Sequence, residues 1–458
     1  METDEQLRVY GLGHGVRRES RRARVRSYFF GQGLKVGALA TCNTVLAIMS
    51  AWYIVAHTGL NVETDAFFAS GALPQLVFLL LSSTQLAVLV PLLATRDVES
   101  MREDAWVFFL LTTALFGLIG AGLYTTCGVW VPLLVPGFSV EAKSLTVGLT
   151  KIQIASMVLN AGVVTLWAAQ HARRRFVWVE FSGMLANAAG LLFLIYMLPR
   201  FGIHAAAWNT VFYNCLKLAF LLPVLGRWRR PAWPSPSLRE AWRRFKPILP
   251  GQVYLRSEPL LDRFLTSLGG AGSLSLLYVA QQVYTNVILV TSKAMVAPLA
   301  PRLAVEADSG EWLSFRRAYR VRLLLTALLS VSGLLLLLAF GPQALLLTIG
   351  HAGVTAENVH TLWLVMIALA GSFAGSVSGQ TAAGAFYAMG DTKTPTKVSA
   401  VIYTLYLPLK IAVFLGYGLV GLAVTMSAYC VINFLAQFAL LESAVSVRLR
   451  HPSDQLPA

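Results

Sequence analysis

Residues 249–269, LPGQVYLRSEPLLDRFLTSLG, form an apolar segment of membrane-spanning length that carries Arg256, Glu258, Asp262 and Arg263. An ionised side chain in hydrocarbon costs at least ~2.5 kcal/mol, so four in one span belong in a protein interior or a wet cavity, paired with one another. At ~100° per residue, Arg256 and Arg263 fall on nearly one helix face, with Glu258 and Asp262 together on another. The expected helix therefore has one cationic and one anionic stripe. Pro259 stands between the charges, removing a backbone donor and leaving the carbonyl of Leu255 open near mid-helix.

Outward from this stretch the chain is of one kind. Its 458 residues are 56% hydrophobic and 13% charged, with a mean hydropathy of +0.63. That composition specifies a polytopic membrane protein. The apolar runs are long and continuous rather than short and alternating, so the expected fold is all-α, not a β-barrel. The net charge of +15 gathers between the apolar runs, as orientation signals do, and no nucleic-acid partner is expected. Cys42, Cys127, Cys215 and Cys430 lie inside apolar segments without paired spacing and read as packing residues. No metal or other cofactor is expected.

Spans are predicted at 33–57, 66–94, 105–131, 146–169, 177–198, 203–225, 247–268, 273–300, 321–345, 360–387, 395–416 and 418–444, about twelve helices. Arg17, Arg18, Arg21, Arg22, Arg24 and Arg26 precede the first span. The basic segments 171–175, 226–246 and 316–322 and the tail with Arg448 and Arg450 then fall on the same side, which puts both termini in the cytosol. The loop at 95–104 is slightly acidic yet keeps this assignment, because acidic residues weigh little in the rule. The proline-bearing connection 226–246 divides the chain. The expected organisation is a basic cytosolic segment (1–32), an N-lobe of helices one to six (33–225), a cytosolic linker (226–246), a C-lobe of helices seven to twelve (247–444) and a cytosolic tail (445–458), with the two six-helix lobes around a central cavity. FGIHAAAWNTVFYN (201–214) and YGLVGLAVTMSAYC (417–430) share Gly202 with Gly418 and Tyr213 with Tyr429, a faint repeat consistent with two parallel halves.

The chain has no GxSxG, no GxxxxGK[ST] and no HExxH. His57, His171, His204, His351 and His360 are scattered near loops and read as surface residues. A membrane-embedded glycan transferase or acyltransferase is the weaker alternative. Intramembrane charge remains as the functional signal. Glu180 and Lys217 lie close enough to the cytosolic ends to snorkel; Lys293 lies in the cytosolic third of the eighth span and Lys410 in the outer third of the eleventh. Arg256, Arg263 and Lys293 are expected to line the cavity and attract an anionic head group, for which a guanidinium suits phosphate. The excess of cations favours an anionic cargo over a cationic drug. Ion pairing between helices is the structural alternative for Lys293 and Lys410.

Specific words then appear. Thr64-Asp65-Ala66-Phe67-Phe68 followed by Leu73-Pro74, GSLSLLYVAQQVY (272–284) leading to MVAPLAPRLA (295–304), and FYAMGDTKTPTK (386–397), with Asp391, Lys393 and Pro395, resemble the MurJ (MviN) family of lipid II flippases in order and spacing. That family shares a superfamily with polysaccharide-repeat flippases and MATE exporters. The resemblance implies alternating access between two six-helix lobes and transport of a polyprenyl-pyrophosphate-linked glycan across a bacterial cytoplasmic (inner) membrane, with membrane lipids and glycan-assembly enzymes as further partners. It implies a transporter, not an enzyme. A MATE-like exporter and a non-transporting scaffold of glycan assembly stay as alternatives.

Several family positions differ. The first span has no arginine, Ala72 precedes Leu73-Pro74, Phe78 and Ser83 stand where an arginine and a glutamate are usual, and Val279-Ala280-Gln281-Gln282 replaces Tyr-Ala-Asp-Arg. An exopolysaccharide or other surface-glycan repeat is therefore as well supported as lipid II. Some members bind sodium through an aspartate in span seven and an asparagine in span eleven; Asp262 matches the first and Lys410 occupies the second. The expectation is an Asp262–Lys410 ion pair in which the ammonium replaces the cation, with Glu258 and Asp262 also orienting or neutralising the arginines.

Overall fold

The computed structural model describes residues 13–173, 175–226, 243, 256–349 and 354–450. The expected linker 226–246, apart from Gly226 and Arg243, lies outside the described residues, as do residues 247–255 of the seventh span, residues 1–12 and residues 451–458; nothing is described of the side chains of the N-terminal arginine cluster. Helices run Gly13–Thr58, Val62–Ser70, Ala72–Ala94, Val98–Leu134, Val140–Ala172, Phe176–Phe201, Ile203–Leu221, Glu258–Ser267, Ser273–Thr291, Leu299–Asp308, Trp312–Ile349, Ala356–Ala388 and Lys393–Arg450. Nine helical segments among the described residues are long and apolar enough to cross a membrane. The tally meets the expected twelve once three points are taken together. Ala72–Ala94, 23 residues, is a further helix in the second span, the seventh is described only from Arg256, and Lys393–Arg450 holds two helices joined at Gly418.

The apolar runs end where polar side chains satisfy the first backbone donors of the next helix. Asn61 accepts from the amides of Glu63 and Thr64, and Thr64 returns a hydroxyl acceptor to the Asn61 amide. Asp97, Ser139 and Thr355 cap the third, fourth and tenth spans in the same way. Glycine makes the sharpest reversals. Gly202, between spans five and six, has φ 57° and ψ −148°; Gly418, between spans eleven and twelve, has φ 60° and ψ −145°. That backbone region is essentially closed to residues with a Cβ, so the faint sequence repeat marks the same turn built twice. Outside the bundle, Leu324, Leu328, Leu335, Leu336 and Leu347 of the ninth span are among many large apolar side chains left exposed, a surface whose solvent is lipid.

The buried core shows how the lobes meet. One cluster draws from both of them, joining Ile54, Phe67, Leu149 and Leu194 to Leu265, Leu274, Leu362 and Leu422. The bundle end that carries residues 59–61, 135–139 and 268–272 is thus a joined end. Toward the opposite end the core separates. Leu92, Phe108, Leu166 and Leu225 pack within the first lobe, while Leu303, Phe315, Phe386 and Leu441 pack within the second. Apolar burial is the main cohesive term in packing, so the two lobes are held together at one end and splay at the other.

Candidate functional site

The seventh span departs from its expected form. Its helix begins at Glu258, with Pro259 in the first turn, and Arg256 stands in the turn before it. A proline lacks the backbone donor that would in any case be orphaned at a helix start, so it opens a helix at little cost. Pro259 therefore stands in the first turn of the described helix, after the non-helical residues 256 and 257. Arg256 and Arg263 do not share a helical stripe.

The carboxylate face is organised by the eleventh span. Lys410 is fully buried. Its Nζ donates to Glu258 Oε1 at 2.8 Å and pairs with Asp262 Oδ1. Glu258 Oε1 also accepts from the Tyr406 hydroxyl at 2.6 Å, and Asp262 Oδ2 accepts from Gln281 Nε2 at 2.9 Å. The Lys410 ammonium lies 5.0 Å from the centre of the Tyr406 ring, which stacks on Tyr429 at 4.6 Å. Two carboxylates thus share one ammonium. Glu258 faces Lys410 and Tyr406 rather than the arginines it was expected to neutralise, because an i, i+4 pair on the helix presents both acids to the same neighbour.

Arg263 lies on the other side. It is buried, its guanidinium sits 4.9 Å from the centre of the Tyr278 ring, and among the described residues its Nε and Nη1 have no hydrogen-bond partner. Donors buried without partners are costly. Phe68 stacks on Tyr278 at 4.2 Å. Three residues before Phe68, Asp65 crosses between the lobes, accepting from the amides of Gly272 at 2.6 Å and Ser275 at 2.7 Å and from the Ser275 hydroxyl. It thereby satisfies the first donors of the eighth span, where a carboxylate also suits the helix dipole. A second cross-lobe contact is tighter still. Gly137 donates to Ser267 Oγ at 3.4 Å, and a Cβ at Gly137 would collide with the carbonyl of Ser267.

The remaining expected residues lie elsewhere. Lys293 is exposed on a π-helical turn, Ser292–Val296. Arg256 is half-buried. Asp391 caps the eleventh span, accepting from the amides of Lys393 at 3.0 Å and Thr394 at 2.9 Å. Hydrogen bonds from Thr394, chiefly from its side chain, hold the Asp391 carboxyl below its ordinary value of 3.8. Lys393 is exposed and Pro395 is buried in the first turn, so this motif shapes a helix start. Sequence reasoning did not single out Tyr278, Tyr406 or the neutral side chains around a cavity of about 280 Å³ between the lobes, whose walls include Phe68, Gln75, Gln153, Asn160 and Tyr278.

Comparison with known proteins agrees with this architecture. The family model described as lipid II flippase MurJ matches residues 54–451. A probable lipid II flippase MurJ from Buchnera aphidicola subsp. Acyrthosiphon pisum (strain APS) is 20% identical over 425 residues, covering 88% of this chain and 81% of that protein. Among solved structures, a lipid II flippase MurJ in an inward closed conformation superposes with a TM-score of 0.73 at 16% identity, covering 92% of this chain and 93% of the other. An inward-facing multidrug-resistance MATE transporter gives 0.73 at 14% identity over 91% and 99%; an outward-facing one gives 0.59 at 12% over 91% and 96%.

Proposed function

The chain belongs to the family of the lipid II flippase MurJ, and from that premise we propose that it carries a polyprenyl-pyrophosphate-linked oligosaccharide from the cytosolic to the outer leaflet of a bacterial inner membrane by alternating access between its lobes. The family is one of lipid-linked glycan flippases, not of enzymes, and the transferase alternative falls with that membership. The finer substrate is either a surface-glycan repeat or peptidoglycan lipid II. The charge asymmetry of the loops supports cytosolic termini. On that reading the joined end faces outward and the split end opens to the cytosol, where the lipid-linked substrate is made.

The observation that carries this reading is Arg263, a buried guanidinium with two donors unpartnered among the described residues, placed at the joined end of a two-lobed transporter. A guanidinium presents paired N–H groups in the geometry of phosphate oxygens. Arg263 would hold the pyrophosphate, with Arg256 and Lys293 drawing it in from the split end. The Lys410 cluster would keep the two carboxylates from competing for those cations. Transport then requires the Asp65 tie and the Gly137–Ser267 contact to part while the lobes close at the cytosolic end.

The test is binding and translocation in reconstituted vesicles with a fluorescent undecaprenyl-pyrophosphate oligosaccharide. Arg263→Ala should weaken binding roughly tenfold or more, the scale of losing a charge-assisted hydrogen bond, while membrane insertion is retained. Undiminished affinity in that variant removes Arg263 from the site.

A further inference from the structure

The cavity between the lobes has no part in the pyrophosphate contacts just described, and its chemistry is of a different kind. It is a half-open cleft lined by the second, fourth and sixth spans and by Tyr278 of the eighth. Side-chain amides of Gln75, Gln153 and Asn160 supply both donors and acceptors. Phe68, Phe78 and Tyr278 supply flat apolar faces. Among the described residues that line it, none is charged.

Two of its polar groups are already oriented by neighbours. The Thr210 hydroxyl, which also reaches the Ala207 carbonyl at 2.8 Å, lies 3.1 Å from Gln153 Oε1 and holds the Gln153 amide in place. Asn214 Nδ2 donates to Ser156 Oγ at 2.9 Å, which leaves the Ser156 proton available to an acceptor. Gln75 and Asn160 make no side-chain hydrogen bond among the described residues, and Gln75 is exposed. These groups form a set of unspent neutral donors and acceptors beside aromatic rings.

A ligand that matches must be neutral, must both donate and accept hydrogen bonds over most of its surface, and must have an apolar face to lay against a ring. A pyranose meets all three conditions. A carboxylate in the same place would lose its hydration without a cation in the lining to replace it, and an ammonium would find no carboxylate. The volume is near the lower limit for small-molecule sites, which suits one sugar ring. Position completes the match. Tyr278 walls the cavity and also carries the Arg263 guanidinium over its ring.

We infer that this cavity is the subsite for the first sugar of the lipid-linked glycan, the one bonded directly to the pyrophosphate, and that it selects an uncharged sugar ring without an acidic substituent. The inference rests on the flippase reading above and narrows its substrate class. Phe78 contributes to selection by standing as an uncharged wall where an arginine is usual in the family that this sequence resembles.

The experiment measures binding of three probes to the purified full-length protein in nanodiscs: undecaprenyl pyrophosphate, the same lipid carrying N-acetylglucosamine, and the same lipid carrying a glucuronic acid. The neutral sugar should raise affinity about tenfold over the bare pyrophosphate, since each net hydrogen bond is worth about three- to tenfold, and the uronic acid should not. Asn160→Leu should abolish the gain while leaving affinity for bare undecaprenyl pyrophosphate unchanged. Gln75→Leu, at an exposed position, should reduce the same gain and serves if Asn160→Leu does not fold. Equal affinity of the wild type for all three probes overturns the subsite and leaves the flippase reading standing. Failure of all three to bind overturns the flippase reading and the subsite with it.

Discussion

Lys410 is the residue on which the charge balance of the second lobe turns. Its ammonium, fully buried, faces two carboxylates, so removing it deprives the buried Asp262 and the partly exposed Glu258 of the cation they share. Lys410→Met should destabilise the protein by ~3–5 kcal/mol, read as a fall in thermal midpoint in detergent. Adding Glu258→Gln and Asp262→Asn should restore most of the loss, because a cluster neutralised as a whole no longer buries charge. An unchanged midpoint in the single variant means that the ammonium is dispensable. At the start of the same span, the Asp391 cap is sensitive to acid. Its folded carboxyl titrates below 3.8, so its contribution is present above that value and fades as pH falls through the lowered one. Asp391→Asn keeps a capping oxygen without the titration, and its low-pH unfolding should be less steep than that of the wild type. That Lys410 meets a carboxylate is legible from sequence, since unlike charges at similar depth in apolar spans have nowhere else to go. Tyr406 and Gln281 were not legible as its companions. A phenol or an amide in an apolar run is equally at home in packing, and only the three-dimensional neighbour assigns its hydrogen bond.

At the scale of elements, the two turns at Gly202 and Gly418 give the repeat its physical content. Both hold a backbone conformation that a Cβ strains, so Gly202→Ala and Gly418→Ala should each cost about 1–3 kcal/mol, measured as separate shifts in thermal stability. A large loss in one and none in the other would deny that the two hairpins are equivalent. The twelve runs were readable because length and hydropathy decide what can span a bilayer. The start of the seventh helix was not. A proline within an apolar stretch reads equally as a bend or as a first turn, and only the backbone shows that residues 256 and 257, just before Pro259, are non-helical. The cavity was illegible for a related reason. Gln75 lies in the second span and Gln153 and Asn160 lie two turns apart in the fourth, and no local pattern announces that amides of separate spans will line one cavity.

For the whole molecule, the tight passage at Gly137 is where the lobes are closest to interlocking. A side chain there must push against the backbone of Ser267, so Gly137→Val should shift the population toward a form parted at that end. Leu60, nearby and nearly enclosed at 6% exposure, can report it after replacement by cysteine. A membrane-impermeant thiol reagent added from outside should label Leu60→Cys faster in the Gly137→Val background than alone; an equal rate would show that the contact does not gate the end.

The shared apolar core has a thermal consequence. Parting the joined end must wet a portion of Ile54, Phe67, Leu265 and Leu274, and hydration of apolar surface raises heat capacity. Opening that end therefore has an enthalpy that grows with temperature, and because apolar cohesion weakens on cooling, cold relaxes the seal. The turnover of this protein should then follow a curved rather than a straight Arrhenius line, its curvature set by how much of that core is wetted in each cycle.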